Sequence, residues 1–147
     1  MREEGQIVLV SFPNTDLSSP KLRPALLLKQ LPGEHDDWLL CLISTKLHQE
    51  IKDFDEVINE TDDEFESSGL KQKSLIRISK LAVVSGVLLP GAIGSISEER
   101  LERILQKLAN WLYELLLEDL ADLKAIEERR GEKAIPLSEI KKRRQEK

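Results

Sequence analysis

Gln6-Ile7-Val8-Leu9-Val10-Ser11-Phe12 sets the fold class of this chain. β-Branched and aromatic residues crowd into seven positions, a composition that suits a pleated, half-buried surface and predicts a strand. Working outward, Pro13-Asn14-Thr15-Asp16 and Ser18-Ser19-Pro20 punctuate a loop. Pro24-Ala25-Leu26-Leu27-Leu28-Lys29-Gln30 reads as a second strand, with its proline at the first position, where no ladder donor need be lost. After the turn-rich residues 31–37, Trp38 to Ser44 is a third strand. Residues 54–58 and 75–78 are shorter candidates, and 81–88 is a further apolar run. Strands this short, broken by turns this often, predict a mainly β protein built on a small barrel rather than a parallel sheet.

The period changes at Ser97. Ser97 suits an N-cap, and Glu98 and Glu99 place negative charge in the first helical turn. Leu101, Ile104, Leu105, Leu108, Leu112, Leu115 and Leu116 then recur at helical spacing, broadened by Trp111. The stripe carries on through Leu120, Leu123 and Ile126 to Gly131, with a break near Leu117–Asp119 equally compatible. That is longer than one barrel needs, so part of the stripe is expected to cover something else. Pro136 and Ser138 read as an extended entry into a short tail helix with a basic end, Lys141-Lys142-Arg143-Arg144.

Composition narrows the function classes. With 40% hydrophobic and 33% charged residues the chain can bury a core. No apolar run has the length of a membrane-spanning helix, and the N-terminus lacks the shape of a cleavable signal, so a cytoplasmic protein without membrane contact is expected. The single cysteine, Cys41, lies inside Leu39-Leu40-Cys41-Leu42-Ile43 and reads as a small buried hydrophobe rather than a nucleophile. No metal site and no cofactor are expected. The net charge is −5, which by itself argues against nucleic acid. Eight of the carboxylates sit in residues 53–66, and without that segment the rest of the chain is slightly basic. The acidic run is read as a solvated loop.

Three stretches resemble the MazF/PemK (Kid-like) toxins: Gly5-Gln6-Ile7-Val8-Leu9-Val10-Ser11-Phe12-Pro13, then Lys21-Leu22-Arg23-Pro24-Ala25-Leu26-Leu27-Leu28, then Ser74-Leu75-Ile76-Arg77 with Gly94-Ser95-Ile96-Ser97 ahead of the helix. Leu42-Ile43-Ser44-Thr45 stands where that family has an Ile-Thr-Ser segment. Order and spacing carry the resemblance over roughly residues 4–116. It implies an SH3-like (CcdB/PemK-like) barrel over residues 1–116 with a C-terminal helix, a homodimer, a cognate antitoxin, and sequence-specific, metal-independent cleavage of single-stranded RNA. Residues 117–147 form an extension in which Glu118-Asp119-Leu120-Ala121-Asp122-Leu123-Lys124 and Ile135-Pro136-Leu137-Ser138-Glu139-Ile140 resemble the end of a RelB-type antitoxin. The expectation is a tail that folds back and covers a toxin surface, or a helical extension that lengthens a dimer contact.

RNA can be cut without metal because its own 2′-OH attacks the adjacent phosphate. A protein then supplies positioning, charge stabilisation of the phosphorane and a proton for the leaving 5′-oxygen. The planar fork of an arginine suits the second task. Arg23 matches the family's catalytic arginine and is fixed by Pro24, while Ser44 matches its active-site threonine, with Thr45 the alternative one residue on. Arg77 matches an arginine of one branch of the family, in which an acidic residue stands two positions later. Here that position is Ser79, so Arg77 is read as a phosphate contact or a structural residue. His35 and His48 match no family site and are read as surface residues, His48 bordering the cleft. Lys21, Lys46, Lys71 and Lys73 are the expected RNA contacts, and with 4% aromatic residues stacking is scarce. The competing readings are a noncatalytic SH3-like interaction module and a gyrase-directed toxin.

Overall fold

The computed structural model describes residues 2–12 and 21–130. The chain divides into two compact units, Met1–Leu108 and Ala109–Lys147. The first unit contains six strands: β1 Gln6–Phe12, β2 Lys21–Gln30, β3 Asp37–Ser44, β4 Glu56–Ile58, β5 Ser74–Ser85 and β6 Ala92–Ser95. A short helix, α1 (Phe65–Ser68), precedes β5, and a long one, α2 (Glu98–Arg130), follows β6. The strands form one antiparallel sheet in the order β4-β5-β3-β2-β1-β6, curled into a half-barrel.

Both sheet faces are apolar, which is why the strands read as near-continuous hydrophobic runs. On one face Ile7, Leu26, Leu28, Cys41, Ile43, Ile76 and Ile78 pack with Ile96 and with Ile104 and Leu108 of α2. Side chains such as Ile104, fully buried, each contribute roughly 1.5–3 kcal/mol by leaving water. The other face gathers Val8, Val10, Ala25, Leu27, Trp38, Leu40 and Leu89. The buried indole of Trp38 keeps a partner by donating from Nε1 to Asp36 Oδ1 at 2.8 Å, as a buried N–H requires.

The structure departs from the sequence reading in four places. Residues 75–78 and 81–88, expected as separate segments, mostly belong to the single strand β5. The β3–β5 register jumps from Cys41↔Leu81 to Leu42↔Arg77, so three extra residues bulge out and bend one strand around the curl. Strand β6 carries no strong alternation, and forms because β1 offers an unpaired edge: Gln6 pairs with Ser95 and Ile7 with Gly94. The break near Leu117–Asp119 does not occur; α2 runs through it, having neither proline nor glycine. The short tail helix expected after Pro136 lies outside the described residues.

The fourth departure concerns the acidic run. Asp55 and Glu56 are buried, and the segment is a structural clamp rather than a solvated loop. Arg100 of α2 pairs with Glu56 at 3.0 Å, with Asp62 at 3.2 Å and with Glu64. Arg103 and Lys107 meet the same Glu56 at 2.8 and 3.3 Å. Burial alone would raise the Glu56 carboxyl, but the hydrogen bond from Arg103 and the charges of Lys107 and Arg103 outweigh it and hold it below its usual range. Glu64 is likewise lowered against its burial, by hydrogen bonds from Ser97 and Arg100. The helix start is as expected: Ser97 Oγ accepts the Arg100 N–H at 3.2 Å.

Candidate active site

The start of β2 and the end of β3 lie side by side. Their register pairs Ala25 with Leu42, and continuing it two residues brings Arg23 level with Ser44. On its other side Arg23 pairs with Val10 of β1, and Ser44 pairs with Leu75 of β5. Arg23 is thus held by β1 just before the ladder to β3 begins at Ala25, with the ring of Pro24 fixing the next backbone angle. At this end of the sheet a cleft of about 250 Å³ opens, lined by Arg23, Pro24, Ile43, Ser44, Thr45, Lys46 and Ser74.

Ser44 is held by the turn that leaves β3. Its Oγ accepts the backbone N–H of Lys46 at 3.1 Å, a serine turn that fixes the hydroxyl and leaves its proton available to donate. Ser74, a cleft wall that sequence reasoning did not single out, is buried and donates from Oγ to the Gln72 carbonyl at 2.8 Å. Its hydroxyl is thus engaged with the main chain. Arg23, Ser44, Thr45 and Lys46 share the cleft, whereas Arg77, Lys21, His48, Lys71 and Lys73 are not among its lining residues. Lys21, His48, Lys71 and Lys73 are exposed. Arg77 is half-buried and donates from Nη1 to Gln49 Oε1 at 3.0 Å, a pairing across 28 residues of chain that no local motif announces.

A planar cation, a fixed hydroxyl and an exposed lysine lining one cleft are chemically suited to an anion. Among the described residues no three His, Cys, Asp or Glu side chains gather to hold a metal ion. Cys41 is fully buried. Burial, with the nearby negative charge of Asp55 adding to it, pushes its thiol far up, which removes it as a nucleophile.

The family model for PemK-like, MazF-like toxins of type II toxin–antitoxin systems matches residues 3–112. The chain belongs to that family. No curated protein matches it. PemK/MazF-like proteins are RNA-cleaving toxins, and the curled β sheet followed by a long helix is consistent with their fold. The match spans all six strands and the part of α2 that packs on the sheet. It also frames position 79, where one branch of the PemK/MazF toxins resembled by this sequence has an acid. In this member Ser79 donates instead, its Oγ and N–H each 3.0 Å from the buried carboxylate of Asp55. That carboxylate also accepts the Ile51 N–H at 3.0 Å, stapling the segment after the cleft to β5. Among the described residues no helix is long and apolar enough to cross a membrane.

Proposed function

We propose that this chain is an endoribonuclease toxin that cleaves single-stranded RNA at short sequences in the cleft between β2 and β3, without a metal ion. One observation carries the reading: Arg23 and Ser44, from different strands, line one cleft. In this mechanism the 2′-oxygen of the bound nucleotide forms a bond to the adjacent phosphorus. The 2′-hydroxyl proton passes to solvent, and the bond from phosphorus to the 5′-oxygen breaks as that oxygen takes a proton from solvent, leaving a 2′,3′-cyclic phosphate and a 5′-hydroxyl. The Arg23 fork binds the non-bridging oxygens, where charge accumulates in the transition state. Ser44, already accepting from Lys46, donates to the phosphate or orients the 2′-OH. Lys46 holds the neighbouring phosphate as a point charge, and Thr45 lines the approach. Lys21, His48, Arg77, Lys71 and Lys73 serve, where they contact RNA, outside the cleft itself. The toxin acts as a cytoplasmic homodimer restrained by a cognate antitoxin, a separate protein or its own residues 117–147.

The decisive experiment incubates purified protein with single-stranded RNA in excess chelator and compares it with Arg23→Ala. Cleavage by the wild type and its loss in a variant with unchanged circular dichroism is the expected result. Cleavage retained by Arg23→Ala, or none by the wild type, overturns the proposal.

A further inference from the structure

Residues 45–55 carry the chain from the end of β3 to the start of β4. Those two strands flank β5 on opposite sides, so the loop passes from one side of β5 to the other. Its first two residues, Thr45 and Lys46, line the cleft. Apolar burial is not what holds the stretch that follows. The short 3-10 turn Leu47–Gln49 buries none of its residues, and Ile51 is 49% exposed. The last residue of the loop, Asp55, lies outside the cleft lining, yet its side chain is buried.

The carboxylate of Asp55 gathers donors from both the loop and β5. Oδ2 accepts the Ile51 N–H at 3.0 Å, while the Asp55 N–H reaches the Ile51 carbonyl at 2.9 Å. Oδ1 accepts the N–H and the hydroxyl of Ser79, each at 3.0 Å, where β5 bulges. Two residues earlier on β5, Arg77 Nη1 donates to Gln49 Oε1 at 3.0 Å. Side chains therefore pin the loop to β5 at two points. The Gln49 N–H in turn donates to the Lys46 carbonyl at 3.1 Å, which joins the pinned stretch to the lysine in the cleft.

We infer that Asp55 is a positioning residue: by fastening the loop to β5 it fixes where Thr45 and Lys46 stand in the cleft. Its effect on cleavage rests on the nuclease reading above, in which Lys46 holds a phosphate; its hold on the loop does not. A long, flexible lysine delivers its charge to one place only if its backbone is fixed. A misplacement of about 1 Å, even from a change distant from the chemistry, can cost roughly 10²-fold in rate. The position requires two acceptor oxygens, because Ile51 and Ser79 both present N–H groups. An asparagine has one oxygen and would turn its amide NH₂ toward the other N–H.

The test compares full-length Asp55→Asn, Ser79→Ala and Ser79→Thr with wild type. Gly94→Ala, on β6 and outside the cleft lining, controls for a general loss of stability. Amide hydrogen exchange is read without RNA. The Gln49 and Glu50 amides should exchange at least tenfold faster in Asp55→Asn and several-fold faster in Ser79→Ala. They should keep wild-type rates in Ser79→Thr, which retains the hydroxyl, and in Gly94→Ala. Ser79 is exposed, so its variants carry the comparison if Asp55→Asn does not fold. Single-turnover cleavage at saturating RNA should fall at least tenfold in Asp55→Asn, fall several-fold in Ser79→Ala and stay within twofold in the other two. Exchange at Gln49 and Glu50 that is unchanged, or that rises equally in Gly94→Ala, overturns the inference. So does faster exchange with undiminished cleavage. Wild-type protein that cleaves no RNA overturns the nuclease reading instead, and the exchange rates still decide whether Asp55 holds the loop.

Discussion

The guanidinium of Arg103 lies 2.8 Å from the carboxylate of Glu56, joining residues 47 positions apart in sequence and fastening α2 to the edge strand β4. Glu56 also meets Arg100 and Lys107, and its side chain is only 4% exposed. Glu56→Gln takes the carboxylate from Arg103 and Lys107, while Arg100 keeps Asp62 and Glu64, and should cost about 1–3 kcal/mol, measured by urea unfolding. The pH dependence has a defined sign. Glu56 and Glu64 titrate below their usual range when folded, so they stabilise the native state above the unfolded carboxylate pKa of about 4.3. That contribution is lost as pH falls through the folded values. The urea midpoint should therefore drop below about pH 4.5, and Glu56→Gln should flatten the drop. An equal acid slope in both proteins would remove Glu56 from the explanation.

Ser44 is fixed by accepting the Lys46 N–H, so in the proposed mechanism its part in cleavage is a donated or orienting hydrogen bond. Ser44→Thr preserves the hydroxyl and should keep activity within a fewfold of wild type. Ser44→Ala should lower kcat by roughly 10²–10³, the usual loss for one well-placed donor, with a smaller change in KM. Single-turnover cleavage of a short RNA measures both.

Lys46 is an exposed member of the cleft. As a phosphate contact it acts uniformly on all sequences and through counterion release. Lys46→Ala should weaken RNA binding without altering the cleavage sequence. It should also reduce the slope of log K against log salt by about 0.7. A binding titration at several salt concentrations reads this directly.

Gly94 of β6 lies against α1 so closely that an added Cβ would collide with the backbone of Ser67 and Ser68. Gly94→Ala must push helix and strand apart, and overpacking of this kind costs about 1–3 kcal/mol. Thermal unfolding should show a clear loss for Gly94→Ala. Gly33→Ala, where nothing stands within 4 Å but φ is +121°, should show only backbone strain.

Much of the β framework was legible in the residues. The runs that became β1, β2 and β3 are apolar and bounded by turn residues, and Ser97 capped α2 as its side chain dictates. Both are local properties, decided by steric preference and hydrogen bonding within a few residues. The short strand β6 was not legible, because Ala92–Ser95 has little strand character of its own and pairs only because the edge of β1 is there. The bulge in β5 was hidden for the same reason: it answers a bend of the whole sheet.

For the site, Arg23 and Ser44 came from matching family motifs, while Ser74 and Gln49 went unmarked. Ser74 stood out only as the first residue of a motif strand and Gln49 not at all, and their partners are set by chain geometry. The acidic run shows the division most clearly. Its composition alone describes a solvated loop, since free carboxylates prefer water. Arg100, Arg103 and Lys107 stand more than 30 residues away, at helical spacing on one face of α2. Only folding places those charges against Glu56. The sequence by itself determined β1, β2 and β3, the helix and its cap, because those depend on short-range sterics and periodicity. The tertiary structure decided which carboxylates are buried, where β5 bends and which side chains meet in the cleft, because each depends on contacts between residues distant in the chain.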